Sequence, residues 1–345
     1  MSTGTGLYIF KQQLHQLPTS IFFFQILPVV VLVSARLLRD HGVGRVGLVC
    51  ASMKMVGTRP TIRRRFSAAA TISTRHHRSS NGRRPFSSKL TARFPPIAEI
   101  CVTSDTVDSL TAKMQPFYDQ QTPVVVRELL HATPKNSKAL ENFPNWNHWE
   151  DRIPVNTDCQ VELGGNYSQS QAVDIPFRDF LSYLRFFEER FGRGQSDVEG
   201  IEDVSSDDLI YLAQNDLFPE ILEDIDLPNP VLELGEGKLY STMLWIGPFG
   251  CVSPLHYDPL DNLLMQFVGT KRVVMCAPNS SVRAGYDGNQ NNTSPINPEY
   301  DKNLPDNTSF LETTLHSGDG LFLPKKWYHY LRTLETSVSI NTWFR

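Results

Sequence analysis

The sequence predicts a mainly β protein, a sandwich or barrel with helices flanking it. From Leu209 onward the chain is a succession of short runs rich in Val, Leu, Tyr, Phe and Trp, cut by Gly, Pro and Asn. Antiparallel strands and their turns have that composition. Ahead of these runs, two stretches repeat apolar residues at helical spacing. A chain of 345 residues with 40% hydrophobic content is also long enough for one large core or two small ones.

Charge divides the chain into two parts. Up to Ala98 there are fifteen Lys or Arg and one acid, Asp40, whereas the remainder carries 18 basic and 36 acidic residues. The acidic body does not suit nucleic-acid phosphates and tolerates basic peptides. Within the basic part, Ile21 to Ala35 is apolar but interrupted by Gln25 and Pro28. A membrane-spanning helix takes about twenty apolar residues, so this is no convincing span. Arg36 and Arg39 follow where a secretory cleavage site would need small residues. Met53 to Leu90 is rich in Arg and Ser without a single acid, the composition of a mitochondrial transit peptide. A basic tail with no address, on a cytoplasmic or nuclear protein, has the same composition. Met53 or Met55 would then serve as the start, with the residues before it not translated. The expected organisation is a targeting or disordered segment over 1–98, a mixed α/β part over 99–208 packing on the barrel, and a strand-rich domain over 209–345. Cys50, Cys101, Cys159, Cys251 and Cys276 are odd in number, scattered and without C-x-x-C spacing. That pattern argues against a disulfide framework or structural zinc and fits a reducing compartment.

In chain order, Thr103 to Tyr118 reads as a helix, capped by Thr103, Ser104 or Asp105, with Val107, Leu110, Met114 and Phe117 on one face. Thr122 to Leu129 is a β-branched run and hence a strand. Pro144 to Asn147 marks a break. Cys159 to Gly164 alternates as a strand does. After Pro176, the residues Phe177, Phe180, Leu181, Leu184 and Phe187 form a helical aromatic stripe that reads as core. Gly194 to Asp208 is acidic and turn-rich, a surface loop. The strands after Leu209 follow, interrupted by a polar loop from Asn279 to Leu311.

The chemistry lies in SPLHYDP (Ser253–Pro259) and GDGLFLPKKWYHYL (Gly318–Leu331). Residues i and i+2 of a strand point the same way, so His256 and Asp258 can reach one metal ion, and His329, 73 residues later, offers a third ligand. Two imidazoles and a carboxylate suit one face of Fe(II), leaving other positions for substrate and oxygen. The alternative makes His256 an ordinary satisfied polar residue and His329 a member of an aromatic cluster.

These motifs, with YLAQNDLF (Tyr211–Phe218), NLLMQFVGTKR (Asn262–Arg272) and SVSINTWF (Ser337–Phe344), resemble the JmjC family of Fe(II)- and 2-oxoglutarate-dependent oxygenases. The likeness is greatest to its small asparaginyl and arginyl protein hydroxylases and, with looser matches at TPVVVREL and VELGGNY, runs from about Glu99 to Arg345. The resemblance implies a double-stranded β-helix core of the cupin, or jelly-roll, type. It implies His256, Asp258 and His329 as iron ligands, and Lys271 as partner of the distal carboxylate of 2-oxoglutarate. Ser253, Asn262 and Tyr211 would hydrogen-bond the same cosubstrate. A compact lysine charge inside a narrow barrel suits that carboxylate, although Lys271 would also serve as a hairpin-tip charge. Arg272, next along the strand, is expected to face the other way and be exposed. By the same likeness Trp245, Trp343, Glu162, Tyr167 and Gln214 would line a cavity for a protein or peptide substrate, with arginine as the target. Aromatic faces and a carboxylate suit a guanidinium, and both Trp are equally at home as barrel core. One departure is Ala172, in a Gln- and Ser-rich loop, where the family carries a Trp. The implied reaction is side-chain hydroxylation with O2. N-methyl demethylation and a cupin-like metal-binding module without turnover are the alternatives.

Overall fold

The alternation read from Leu209 onward becomes the greater part of two largely antiparallel sheets that share a core. The computed structural model describes residues 92–102, 107–166, 171–194, 204, 208–278, 280–285 and 292–345, together with the backbone of three strands before residue 58. The chain divides into two units, Met1–Ser79 and Ser80–Arg345. In the first, β1 (Ser20–Ile26), β2 (Val29–Leu38) and β3 (Gly47–Gly57) form an antiparallel sheet in that order. The apolar stretch Ile21 to Ala35 thus falls on two paired strands, and no helix among the described residues is long and apolar enough to cross a membrane. The targeting expectation attaches mainly to residues 58–91, which lie outside the described residues.

The second unit opens with β4 (Ala98–Cys101), α1 (Val107–Gln120) and β5 (Val124–Arg127). Then come α2 (Pro134–Asn142), α3 (Trp146–Arg152), β6 (Asp158–Leu163), β7 (Gln171–Pro176) and α4 (Phe177–Phe191). The expected caps of the first helix lie outside the described residues. The break at Pro144 is the joint between α2 and α3, two helices the periodicity missed because PKNSKALEN carries no apolar stripe. Their starts are written locally: Thr133 and Asn145 accept from the amides of Asn136 and Asn147, as N-caps do. Strand β8 (Ile210–Asp216) is followed by the single turns α5 (Pro219–Leu222) and α6 (Pro230–Glu233), and then by β9 (Leu239–Gly247). The rest is strand: β10 (Val252–Tyr257), β11 (Asp261–Val268), β12 (Lys271–Cys276), β13 (Phe310–Leu315), β14 (Gly320–Leu323), β15 (Tyr328–Thr333) and β16 (Ser337–Phe344).

Nine strands form one sheet in the order β4-β5-β14-β11-β16-β9-β8-β6-β7, and four form the other in the order β10-β15-β12-β13. This is the jelly-roll core expected from the sequence. Its two faces are made by strict alternation. On β11 and β16, Leu263, Met265, Phe267, Val338 and Ile340 meet the helices through Met114, Phe143, Trp149, Phe180 and Leu184. The opposite face carries Asn262, Leu264, Gln266, Ser339, Asn341 and Trp343 toward the small sheet. At one end this interior is dry, with Val125, Leu264 and Leu321 packed on Val273, Met275 and Leu315. Among the polar groups, Gln266 donates to Ser337 Oγ at 3.0 Å and accepts from Ser339 Oγ at 2.7 Å. Such pairing is what burial of polar side chains requires. Of the acidic segment Gly194–Asp208, only Gly194, Val204 and Asp208 are described. Val204 is buried with Phe187, Phe191 and Phe249.

The segment expected as a loop from Asn279 to Leu311 is tied to the sheets by its described residues, and its last two residues open β13. Asn292–Ser294 runs along the edge of β10, where Tyr257 N donates to Asn292 O at 3.1 Å and Ser294 N to Leu255 O at 2.7 Å. Further on, the buried Glu299 accepts from Arg272 Nη1 at 3.1 Å, Arg332 Nη1 at 2.8 Å and the Tyr330 hydroxyl at 3.0 Å. This corrects the expectation for Arg272. It does face away from Lys271, but its side chain is only 8% exposed and also pairs with Glu312 at 2.7 Å. Alternation sets a side chain's direction, whereas exposure depends on what the chain later lays over it. Removing one partner of a buried ion network strands the others. Glu299→Gln is therefore expected to lower stability by about 3 kcal/mol, read as a fall in the urea midpoint at unchanged m-value. An unchanged midpoint would contradict the network.

Candidate metal centre

Two strands distant in sequence bring the histidines together. In the antiparallel pair β10–β15, His256 and His329 are direct cross-strand partners. Their ring centroids lie 4.2 Å apart, as side chains on one face of adjacent strands do. Asp258, two residues beyond His256, brings Oδ2 to 3.6 Å from His329 Nε2. One ligand atom from each of the three residues lies within 4.8 Å of the others.

The backbone fixes which nitrogens are offered. His256 Nδ1 donates to Pro254 O at 2.7 Å and His329 Nδ1 to Trp327 O at 3.0 Å. A carbonyl only accepts, so each Nδ1 carries the proton and each Nε2 presents its lone pair. Burial and the neighbouring His256 ring hold the His329 imidazole well below the usual histidine range, partly offset by Asp258. It is neutral at pH 7, as a metal ligand must be. Asp258 is held from two sides. Trp343 Nε1 donates to its Oδ2 at 3.1 Å, and Lys326 N donates to its backbone carbonyl at 2.7 Å. Two imidazole nitrogens and one carboxylate, buried and pre-oriented, fit a divalent transition ion with open positions.

The triad opens into a cavity of about 320 Å³, within the range of small-molecule sites (about 300–1,000 Å³). Lys271 lines it, only 2% exposed. On β12, Met275 lies opposite His329 and Lys271 opposite Thr333. The lysine therefore sits four residues along the barrel, roughly 13 Å of strand. Burial pushes its pKa down to about 7 against a small opposing effect of Cys251. Its Nζ lies 5.9 Å from the centre of the Tyr211 ring. Among the described residues no carboxylate pairs with it.

A chain of hydrogen bonds crosses the cavity floor. Trp245 Nε1 donates to Asn341 Oδ1 at 2.6 Å, and Asn341 Nδ2 donates to Asn262 Oδ1 at 3.0 Å. An indole only donates, so its N–H sets both amides. Asn262 is left with its Nδ2 as the group that can donate to a bound carboxylate.

Of the residues singled out in the sequence, His256, Asp258, His329, Lys271, Ser253, Asn262, Trp245, Trp343 and Gln214 all line this one cavity. Gln214 reaches it through an irregularity between β8 and β9, with φ of 53°. That left-handed backbone is uncommon outside glycine. Tyr211 is buried beside Lys271 and Trp245. Glu162 is the cross-strand partner of Tyr211, so it faces the same side without lining the cavity. Ala172 lies opposite Glu162 within β7, and not in a loop as expected. Tyr167 lies outside the described residues. Two polar wall residues have no place in the sequence-based site, Asn341 and Asn292. Asn341 had a signal, standing two residues before Trp343 on the same strand face. Asn292 had none, since only the folding of the insert against β10 brings it to the rim.

Comparison with known proteins agrees with this geometry. A family model described as a cupin-like domain matches residues 111–345. Jumonji C domain-containing protein 5 of Drosophila melanogaster is 30% identical over 233 residues, covering 59% of this chain and 52% of that protein. Lysine-specific demethylase 8 of Danio rerio is 32% identical over 244 residues, 66% and 54% of the two chains. Lysine-specific demethylase JMJ30 of Arabidopsis thaliana is 30% identical over 250 residues, 68% and 53%. The chain spans about half the length of the curated relatives it matches.

Proposed function

The chain belongs to the cupin-like JmjC family of Fe(II)- and 2-oxoglutarate-dependent oxygenases, and from that premise we propose that it oxidises a protein side chain, with arginine as the target. The observation that carries the reading is one cavity lined by a His-Asp-His triad and by a buried lysine that no carboxylate among the described residues pairs with. That is a receptor for one metal ion and one dicarboxylate end to end.

When bound, the ferrous ion with 2-oxoglutarate and O2 supplies an oxidant for a C–H bond, and succinate and CO2 are released. The chain's own task is positioning. His256, Asp258 and His329 would hold the ion. Lys271 holds the distal carboxylate, with Ser253, Asn262 and Tyr211 as hydrogen-bonding groups around it. Trp245 and Gln214 line the same cavity, where a guanidinium can stack on the indole and donate to the amide. The sheets exclude bulk water behind them.

A second reading is N-methyl demethylation, favoured by the names of two relatives, which are lysine-specific demethylases. Both outcomes start from the same C–H oxidation and are separated by the product. Purified protein with Fe(II), ascorbate and 2-oxoglutarate is incubated with arginine peptides and with methylated-lysine peptides. Succinate with a gain of one oxygen on arginine supports hydroxylation. Succinate with formaldehyde and loss of a methyl group supports demethylation. No succinate with any peptide would leave a metal-binding module without turnover.

A further inference from the structure

Trp343 occupies two positions at once, in the wall of the cavity and on a metal-ligand candidate. A cage residue for substrate would offer its ring face to the cavity and leave its N–H to any nearby acceptor. Here the N–H is committed. It donates to Asp258 Oδ2 at 3.1 Å, the oxygen that also lies 3.6 Å from His329 Nε2. Asp258 stands just beyond the end of β10, on a turn where the neighbouring bond from Lys326 N secures only its backbone. Among the described residues, the bond from Trp343 is the one that acts on the carboxylate. The donor comes from β16, in the sheet opposite the strands that carry the histidines. The register of β16 against β11 places Trp343 beside Asn262, so one strand of the large sheet serves both the cosubstrate side and the metal side.

We propose that Trp343 is a positioning residue for the metal, fixing the orientation of the Asp258 carboxylate, and not a member of the substrate cage. A donor fixed on one carboxylate oxygen sets rotation about the Cβ–Cγ bond, so the group is held where it would meet the ion together with the two imidazoles. Loss of such an orienting partner typically costs about 10–100-fold in metal affinity. Trp245 supplies an internal contrast, because it lines the same cavity but sends its N–H to Asn341, away from the triad.

The inference rests on the triad binding a metal, and the test separates the two. The full chain, stripped of metal, is titrated with Fe(II) or Co(II) without oxygen by calorimetry, as wild type, Trp343→Phe and Trp245→Phe. A further sample carries at position 343 the tryptophan isostere with sulfur in place of the indole N–H, which keeps the shape of the ring. One ion per wild-type chain is expected, with affinity falling about 10–100-fold for both changes at 343 and by less than twofold for Trp245→Phe. Circular dichroism verifies that each variant is folded. If wild type takes up no ion, the functional reading itself fails. If wild type binds and the isostere binds within twofold of it, Trp343 does not position the metal and the proposal is overturned.

Discussion

Asp258→Ala is expected to take up no Fe(II) under conditions that saturate the wild type, and to lose succinate formation by more than about 100-fold. Removing a partner that only orients a ligand costs about 10–100-fold, so removing the ligand itself costs more. The variant should remain folded. The side chain contacts Trp343 and His329 at the cavity, while the bond from Lys326 N goes to the backbone carbonyl, which alanine retains. Metal stoichiometry and 2-oxoglutarate turnover are the readouts, with circular dichroism as the control. Wild-type succinate release by this variant would refute the triad.

Lys271→Met is expected to separate stability from function. The folded-state pKa of about 7 lies below the ordinary lysine value of 10.5, so the unfolded chain holds this proton more tightly. Stability contributed by the neutral lysine is present at high pH. It declines as pH falls from about 10.5 to about 7 and is constant below, where both states are protonated. The fully buried ammonium therefore costs the fold several kcal/mol at pH 7 and below. Methionine keeps the length and removes the charge, and such replacements stabilise by about 1–4 kcal/mol. The melting temperature should rise. Loss of the lone cation should raise the KM for 2-oxoglutarate by about 100-fold or more, since stranding one buried charge costs about 3–5 kcal/mol. In wild type, cosubstrate affinity should weaken as pH rises above about 7, where the lysine loses its proton, and the variant should lack that dependence. A variant with lower stability and unchanged KM would show that Lys271 is a structural charge.

Much of the site could be read because its residues sit where strand periodicity speaks. His256 and Asp258 are i and i+2, Lys271 follows a Gly-Thr hairpin, and His329 follows a Gly-Asp turn and an apolar run. What could not be read depended on cover or on a partner. Arg272 was taken for exposed because nothing local announces that Glu299 folds over it. The side of the strand on which Trp343 lies is legible in the sequence, and its hydrogen bond to Asp258 is not. The helices α2 and α3 were missed because they bury only a few residues each, Asn136 and Ala139 in the first and Trp146 and Trp149 in the second. Two such positions are too few to form a stripe.

Local order therefore decided which residues lie on strands and which way each points, and the resemblance carried by those motifs named the candidate set. The fold alone decided their meeting. His256 and His329 become neighbours only through the register of β10 on β15. Asp258 acquires its donor only because β16 lies in the facing sheet, and Glu299 finds its arginines only when the insert crosses the small sheet. The physical reason is range. Alternation, caps and turns act over a few residues along the chain, whereas register and burial are set by contacts between segments tens of residues apart.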